Sequence, residues 1–123
     1  MSILIDQTTR LLVQGITGRE GTFHTRTMLE YGTNVVAGCT PGKGGQTVEG
    51  VPVFNTVREA VEETGANATV LFVPAKHTPA GIYEAVDAGV PLIFSISEHT
   101  PVHEMMKCYW AARQRGVRLF GPN

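Results

Sequence analysis

The fold is decided by residues 11–21, which read LLVQGITGREG. An apolar run is followed by glycines at positions 15, 18 and 21, after which the pattern becomes helical. Glycines let the backbone turn sharply after a strand and bring its N–H groups against an anion at the start of the next helix. The stretch therefore predicts a strand, a phosphate-binding loop and a helix. The spacing is G-x-x-G-x-x-G rather than the G-x-G-x-x-G of dinucleotide enzymes, so a tight turn without a ligand is the alternative.

Short apolar runs alternate with helical patterns along the rest of the chain. We predict strands at residues 11–13, 35–37, 69–73, 92–96 and 117–120. Nearly continuous apolar runs of this length are typical of parallel strands that are covered on both faces. Residues 47–54 are compatible with a short additional strand pair after the second strand.

The helices between these strands have clear start and stop signals. Thr56 and Glu59 have the spacing of a capping box and Gly65 follows, which predicts a helix from about 57 to 64. Thr–Pro pairs at 78–79 and 100–101 predict two further helix starts, and a first helix is expected over about 21–31. Their stop signals are Gly32, Gly89 and Gly116.

Alternating strands and helices with short connections indicate right-handed crossovers. The sequence therefore predicts an α/β fold of the Rossmann-like, doubly wound type. We expect a mostly parallel five-stranded sheet in the order 3-2-1-4-5, with helices on both faces, in one domain over residues 1–123.

Composition limits the classes of partner. Ten Lys and Arg against eleven Asp and Glu give a formal charge of −1, which favours neither nucleic acid nor an anionic membrane. No apolar run approaches the roughly 18 residues of a membrane span, and the first residues do not resemble a signal peptide. We expect a cytoplasmic protein, or a mitochondrial matrix protein if a transit peptide has been removed. Cys39 and Cys108 lack metal or redox spacing and are expected to be free, buried thiols.

The loop after the second strand, residues 38–45, reads GCTPGKGG. NAD-binding domains place an acidic residue here to hold the ribose hydroxyls, and this loop contains none. Lys43 stands there instead, which suits a phosphate on the adenosine ribose, as in CoA or NADP. An ordinary solvated lysine is the alternative.

The third and fourth strands end in Val73-Pro74-Ala75 and Ile96-Ser97-Glu98. Both loops are expected at the carboxyl edge of the sheet, where they could wall a long, thin ligand. Glu98 could equally be a surface carboxylate near a helix start.

The four histidines do not indicate a catalytic or metal site. His99 and His103 are four residues apart, but a helix is expected to begin between them, so they would not share a helical face. His24 is expected within the first helix and His77 in a loop, and neither has a partner at a spacing that argues for a catalytic triad.

Four segments together, residues 14–24, 40–45, 50–57 and 121–123, closely resemble the α subunit of succinate–CoA ligase. The resemblance extends over essentially the whole chain and implies that coenzyme A is the cofactor. The positions that match the CoA site of that family are Thr17, Gly18, Arg19, Glu20, Lys43, Ile96, Ser97 and Glu98.

The resemblance also implies that the catalytic functions are divided among different domains and subunits. In that family a carboxylic acid is joined to CoA at the expense of a nucleoside triphosphate, through a phosphorylated histidine in a second α-subunit domain. A β subunit with a grasp fold binds the nucleotide. Neither region matches residues 1–123, so we expect this chain alone to be inactive and its partners to be that domain and the β subunit.

Two departures from the family pattern leave the acid substrate open. They lie at His99-Thr100-Pro101 and at Ala75-Lys76-His77-Thr78, which flank the expected crevice. Two other functions also remain open at this point. One is a free-standing CoA-binding module that regulates or carries, and the other is an NADP-binding domain.

Overall fold

The structure, a computed structural model, describes residues 7–96 and 102–121. The strands are β1 Leu11–Gln14, β2 Val35–Cys39, β3 Thr47–Val48, β4 Val51–Phe54, β5 Ala68–Leu71, β6 Leu92–Ser95 and β7 Arg118–Phe120. The helices are α1 Arg19–Glu30, α2 Val57–Thr64, α3 Thr78–Asp87 and α4 Val102–Gln114, and a short 3₁₀ turn over Ala75–His77 precedes α3.

These strands form one sheet in the order β3-β4-β2-β1-β5-β6-β7. The β3–β4 pair is antiparallel and the other neighbouring pairs are parallel. The predicted class, a mostly parallel doubly wound α/β sheet, is confirmed. The predicted number and order of strands differ in detail. The strand predicted third, now β5, pairs with β1 instead of lying beyond β2.

The place beyond β2 is taken by β4, which belongs to a hairpin. Val48 pairs with Val51, so the two-residue turn is formed by Glu49 and Gly50, both with positive φ. Val51 and Val53 are buried while Pro52 is exposed, the alternation of a half-buried strand. The sequence suggested this strand pair as an addition, but did not assign it a place in the order.

The sheet separates two apolar cores. Helix α1 covers one face, against which Met28 and Leu29 pack, and helices α2, α3 and α4 cover the other. Fully buried side chains on the second face include Leu12, Leu71, Ile82, Ile93 and Cys108. Helices therefore lie on both faces, as predicted.

Helix α2 has the predicted bounds. The N–H of Glu59 donates to the Thr56 hydroxyl oxygen at 3.1 Å, and Gly65 ends the helix in the left-handed conformation. The Glu59 carboxylate accepts from the Asn55 N–H at 3.4 Å, one residue before the position of a standard capping box. Glu84, from α3, accepts the N–H of Val57 at 2.7 Å and so ties α3 to the start of α2.

Two predicted helix starts need correction. Helix α1 begins at Arg19, two residues earlier than expected, and α3 includes Thr78. His77 is the residue before α3, and the Thr78 hydroxyl donates to the Pro74 carbonyl at 3.3 Å. The reason is the 3₁₀ turn, which leads directly into α3 and leaves no extended residue to act as a side-chain cap. The pair at 100–101 lies outside the described residues.

Cys39 and Cys108 are free and buried, as predicted. Within the described ranges, none of the helices has the length and apolarity needed to cross a membrane.

Candidate functional site

The loops of interest meet at one edge of the sheet. Strands β1, β2, β5 and β6 run parallel, so their carboxyl ends lie on the same side. Strands β2 and β4 lie on one side of β1, and strands β5, β6 and β7 follow on its other side. The order therefore reverses between β1 and β5, which is where doubly wound sheets bind ligands.

Two of the loop glycines are required by close packing. Gly15 has φ of 82°, and a Cβ there would lie 2.5 Å from the Phe72 carbonyl oxygen. A Cβ on Gly21 would lie 2.1 Å from the Gly15 carbonyl oxygen. The loop backbone is thus held between the end of β5 and the first turn of α1, with no room for a side chain at either position.

Gly18 is different, because the protein itself leaves room for a side chain there. A Cβ would meet only the Gly15 carbonyl oxygen, at an ordinary contact distance of 3.5 Å, and its φ of −75° suits any residue. Gly18 is the N-cap of α1 and is exposed. Its lack of a side chain keeps the start of the helix open to a ligand.

The start of α1 can bind an anion through its backbone. Arg19 and Glu20 belong to the first turn, whose N–H groups have no partner within the helix. The aligned peptide dipoles of this 12-residue helix add partial positive charge at the same point. Thr17 lies beside it, and its hydroxyl is 3.1 Å from that of Thr40 on the loop after β2.

The loop that carries Lys43 is held by one side chain. The Asn55 Oδ1 atom, just after β4, accepts the N–H groups of both Gly42 and Gly44 at 2.9 Å. The Lys43 N–H donates to the Thr40 carbonyl at 3.0 Å, and the residue is exposed. The backbone on both sides of Lys43 is therefore fixed while its ammonium group is free to meet a ligand. No role for Asn55 was predicted from the sequence, because the parallel pairing of β2 and β4 is what brings it here.

Two connected cavities lie along this edge. The first, of about 440 Å³, is formed mainly by the ends of β1, β2 and β5 and the start of α3. The second, of about 630 Å³, extends past the start of α1 toward Ile96. Residues that line both are Gly18, Phe72, Val73 and Pro74. Together the cavities form a long crevice, which we call the edge crevice.

Most of the predicted site residues lie on this crevice. Thr17 lines the first cavity, Gly18 lines both, and Arg19, Glu20 and Ile96 line the second. Lys43 lines neither, but it follows Thr40 and Pro41, which do line the first. Ser97 and Glu98 lie outside the described residues, and so does His99.

Other residues on the crevice were not assigned by sequence reasoning. The Gln14 amide is buried, donating to the Gly81 carbonyl at 3.2 Å and accepting from the Thr69 hydroxyl at 2.9 Å. His77 lines the first cavity because the 3₁₀ turn places it there. His24 lines neither cavity, but it stacks on Phe72, which lines both, with ring centroids 4.9 Å apart.

Cys39 lines the first cavity of the crevice. Burial, reinforced by Glu84 and Glu59, raises the pKa of the Cys39 thiol to about 12, so it is a neutral thiol at physiological pH. In residues 7–96 and 102–121, no three His, Cys, Asp or Glu side chains are grouped to hold a metal.

A doubly wound sheet with a glycine loop and an open helix start at its switch point defines a nucleotide-binding domain of the Rossmann type. A family model described as "CoA binding domain" matches residues 6–99. The chain belongs to this family, and its cofactor is coenzyme A.

Comparison with known proteins agrees with the resemblance. The chain is 53% identical over 123 residues to subunit alpha 2 of an ADP-forming succinate–CoA ligase from Archaeoglobus fulgidus. The match covers all of this chain and 43% of that relative, so the chain spans less than half of the relative's length. Resemblance to the α subunit of this ligase is thereby confirmed for its N-terminal domain.

Solved structures show how widely the fold is used. ATP citrate lyase from Methanothrix soehngenii, in complex with citrate and coenzyme A, matches with a TM-score of 0.77 and 18% identity, over 97% of this chain and 21% of that one. WlbA dehydrogenase from Bordetella pertussis, in complex with NADH and UDP-GlcNAcA, matches with a TM-score of 0.76 and 21% identity, over 93% and 36%. At these identities the likeness concerns the fold alone.

Gly18→Val should abolish CoA binding while the protein stays folded. The new side chain has room on the fold but would cover the N–H groups at the start of α1. The expected loss of stability is about 1 kcal/mol, the scale of a weakened helix cap. Calorimetric titration with CoA, with thermal unfolding by circular dichroism, measures both quantities.

Gly21→Ala is the contrasting variant. Its Cβ would overlap the Gly15 carbonyl, so the substitution should affect stability instead of blocking the start of α1. This variant should lose about 3 kcal/mol of stability, the upper part of the range for overpacking. A Gly18→Val protein that is folded and binds CoA normally would mean that the glycine loop is only a turn.

Proposed function

We propose that this chain is the CoA-binding unit of an acid–CoA ligase of the succinate–CoA ligase type, in which a carboxylic acid and CoA are joined at the expense of a nucleoside triphosphate. The observation that carries the proposal is the 53% identity to a succinate–CoA ligase α subunit along the whole chain. Membership of the CoA-binding family supports the assignment of the ligand.

The edge crevice suggests how CoA is oriented. The pyrophosphate fits the start of α1, where the amides of Arg19 and Glu20 are open and the Thr17 hydroxyl is close. The adenosine fits the first cavity, whose walls include Pro41, Val73 and Pro74. The pantetheine arm then extends through the second cavity toward Ile96, the residue that precedes Ser97 and Glu98 in the sequence.

Lys43 is the proposed partner of the 3′-phosphate of CoA. Its loop has no acidic residue between positions 38 and 48, so no negative charge within the loop competes for the ammonium group. The Asn55 side chain fixes the two flanking glycine amides. Less backbone freedom is then lost when the lysine meets its ligand, which favours binding.

CoA should bind more tightly than dephospho-CoA by roughly ten- to hundredfold, the equivalent of a charge-assisted contact of roughly 1.5–3 kcal/mol. Lys43→Ala should weaken CoA binding by the same factor and leave dephospho-CoA unaffected. Titrations at low salt measure both affinities, and Lys107→Ala, an exposed lysine on α4, is the control. Equal affinities of the unaltered protein for CoA and dephospho-CoA would contradict the proposed contact between Lys43 and the 3′-phosphate.

A second candidate function is a CoA-binding carrier or regulatory module without a ligase partner. The observation in its favour is that the matching family model, over residues 6–99, describes CoA binding alone. The two functions differ in whether the bound CoA is presented to a phosphohistidine domain and a β subunit.

We propose that the ligase reaction needs both of those partners, and that the acid substrate is succinate or a related acid such as malate or citrate. Phosphoryl transfer requires a binding site that orients the nucleoside triphosphate and its metal ion. The phosphate loop after β1 is better matched to CoA. Catalysis is therefore assigned to regions that correspond to the rest of the relatives' length.

The 123-residue chain alone should form no thioester when given CoA, succinate, ATP and magnesium. Incubation with γ-labelled ATP should leave the protein unlabelled, while addition of a phosphohistidine domain and a β subunit should restore turnover. Acid-labile phosphate on His24, His77, His99 or His103, together with thioester formation by the isolated chain, would contradict the proposal.

A further inference from the structure

Helix α4 exposes an apolar stripe that lies outside the edge crevice. Val102 is 75% exposed, Met106 63%, Tyr109 42% and Trp110 65%. These four residues, which we call the α4 stripe, are spaced at i, i+4, i+7 and i+8 and so share one side of the helix. The side of the helix next to the stripe packs in the core through Met105, Cys108 and Ala112.

The stripe is unlike the outer face of a neighbouring helix. The outer face of helix α2 presents Glu62 and Glu63 to solvent, as expected for a helix face that meets only water. Tryptophan, tyrosine and methionine are the residue types enriched in protein interfaces. A contiguous group of them on one helix face indicates a contact surface.

We propose that the α4 stripe is the docking surface for the second α-subunit domain, an inference that rests on the proposed ligase function. In the A. fulgidus relative, more than half of the subunit lies outside the part that this chain matches. The Tyr109 hydroxyl donates to the carbonyl oxygen of Gly121, so the chain passes beside the stripe as it leaves β7. A domain joined after this point starts next to the stripe.

Charge favours this occupant over a second copy of the chain. Exposed Lys107 and Arg113 border the stripe, and the acid nearby, Glu104, lies 3.9 Å from Lys107. A twofold pair would place two surfaces with a net positive border against each other, which is less favourable than contact with an acidic partner surface. The proposed partner surface is therefore apolar with an acidic border.

Trp110 is the single tryptophan of the chain, so its fluorescence reports directly on the stripe. The experiment compares the 123-residue chain with the same chain extended after Asn123 by the remainder of the A. fulgidus subunit. Trp110 emission is obtained by difference from the Trp110→Phe variant of each protein. We expect emission of exposed tryptophan in the short chain and a shift to shorter wavelength in the extended one, independent of protein concentration.

Met106→Glu should reverse the shift in the extended chain, with little effect on the short chain because Met106 is exposed there. Tyr31→Glu, at an apolar residue that is 87% exposed elsewhere, is the matched control and should preserve the shift. CoA affinity is measured on every variant. Unchanged CoA binding with no shift would overturn the docking surface alone, whereas loss of CoA binding by the unaltered chain would overturn the proposed function.

Two further outcomes would also overturn the proposal. A shift in the short chain that grows with concentration, together with a dimer in sedimentation, would assign the stripe to a second copy. A shift that appears only when a β subunit is added would assign it to that subunit.

Discussion

The site depends on a steric constraint, the packing of the glycine loop between the end of β5 and the first turn of α1. A Cβ at Gly15 would overlap the Phe72 carbonyl, and one at Gly21 would overlap the Gly15 carbonyl. Because both contacts are backbone against backbone, no side-chain rotation can relieve them. The start of α1 is consequently held at the switch point, with its free N–H groups facing the edge crevice.

Side-chain hydrogen bonds then fix the second loop relative to the first. The Thr17–Thr40 contact joins the loops after β1 and β2, and Asn55 ties down both glycines beside Lys43. We propose that the crevice recognises phosphate mainly through backbone amides and a lysine that extends from a fixed loop. Such a site needs no net positive charge on the protein, in agreement with the formal charge of −1.

Sequence reasoning was most successful where a local rule governs the structure. The bounds of α2 follow from Thr56 and Gly65, and the turn from β1 into α1 follows from glycine spacing after an apolar run. It was less successful where the outcome depends on pairing between distant segments. The assembled sheet determines the place of β4 beside β2 and the role of Asn55. The 3₁₀ turn brings His77 into the first cavity. The fold class was therefore predictable, while the order of strands was only partly so.

The fold alone does not select CoA, since a similar sheet occurs in a dehydrogenase solved with NADH. We propose that selection comes from the loops, through the acid-free segment around Lys43 and the open helix start at Gly18. The most direct measurement is a calorimetric titration of this chain with CoA, NADP and NAD under the same conditions. We expect saturable 1:1 binding of CoA and much weaker binding of both dinucleotides. Tighter binding of NADP or NAD than of CoA would contradict the account.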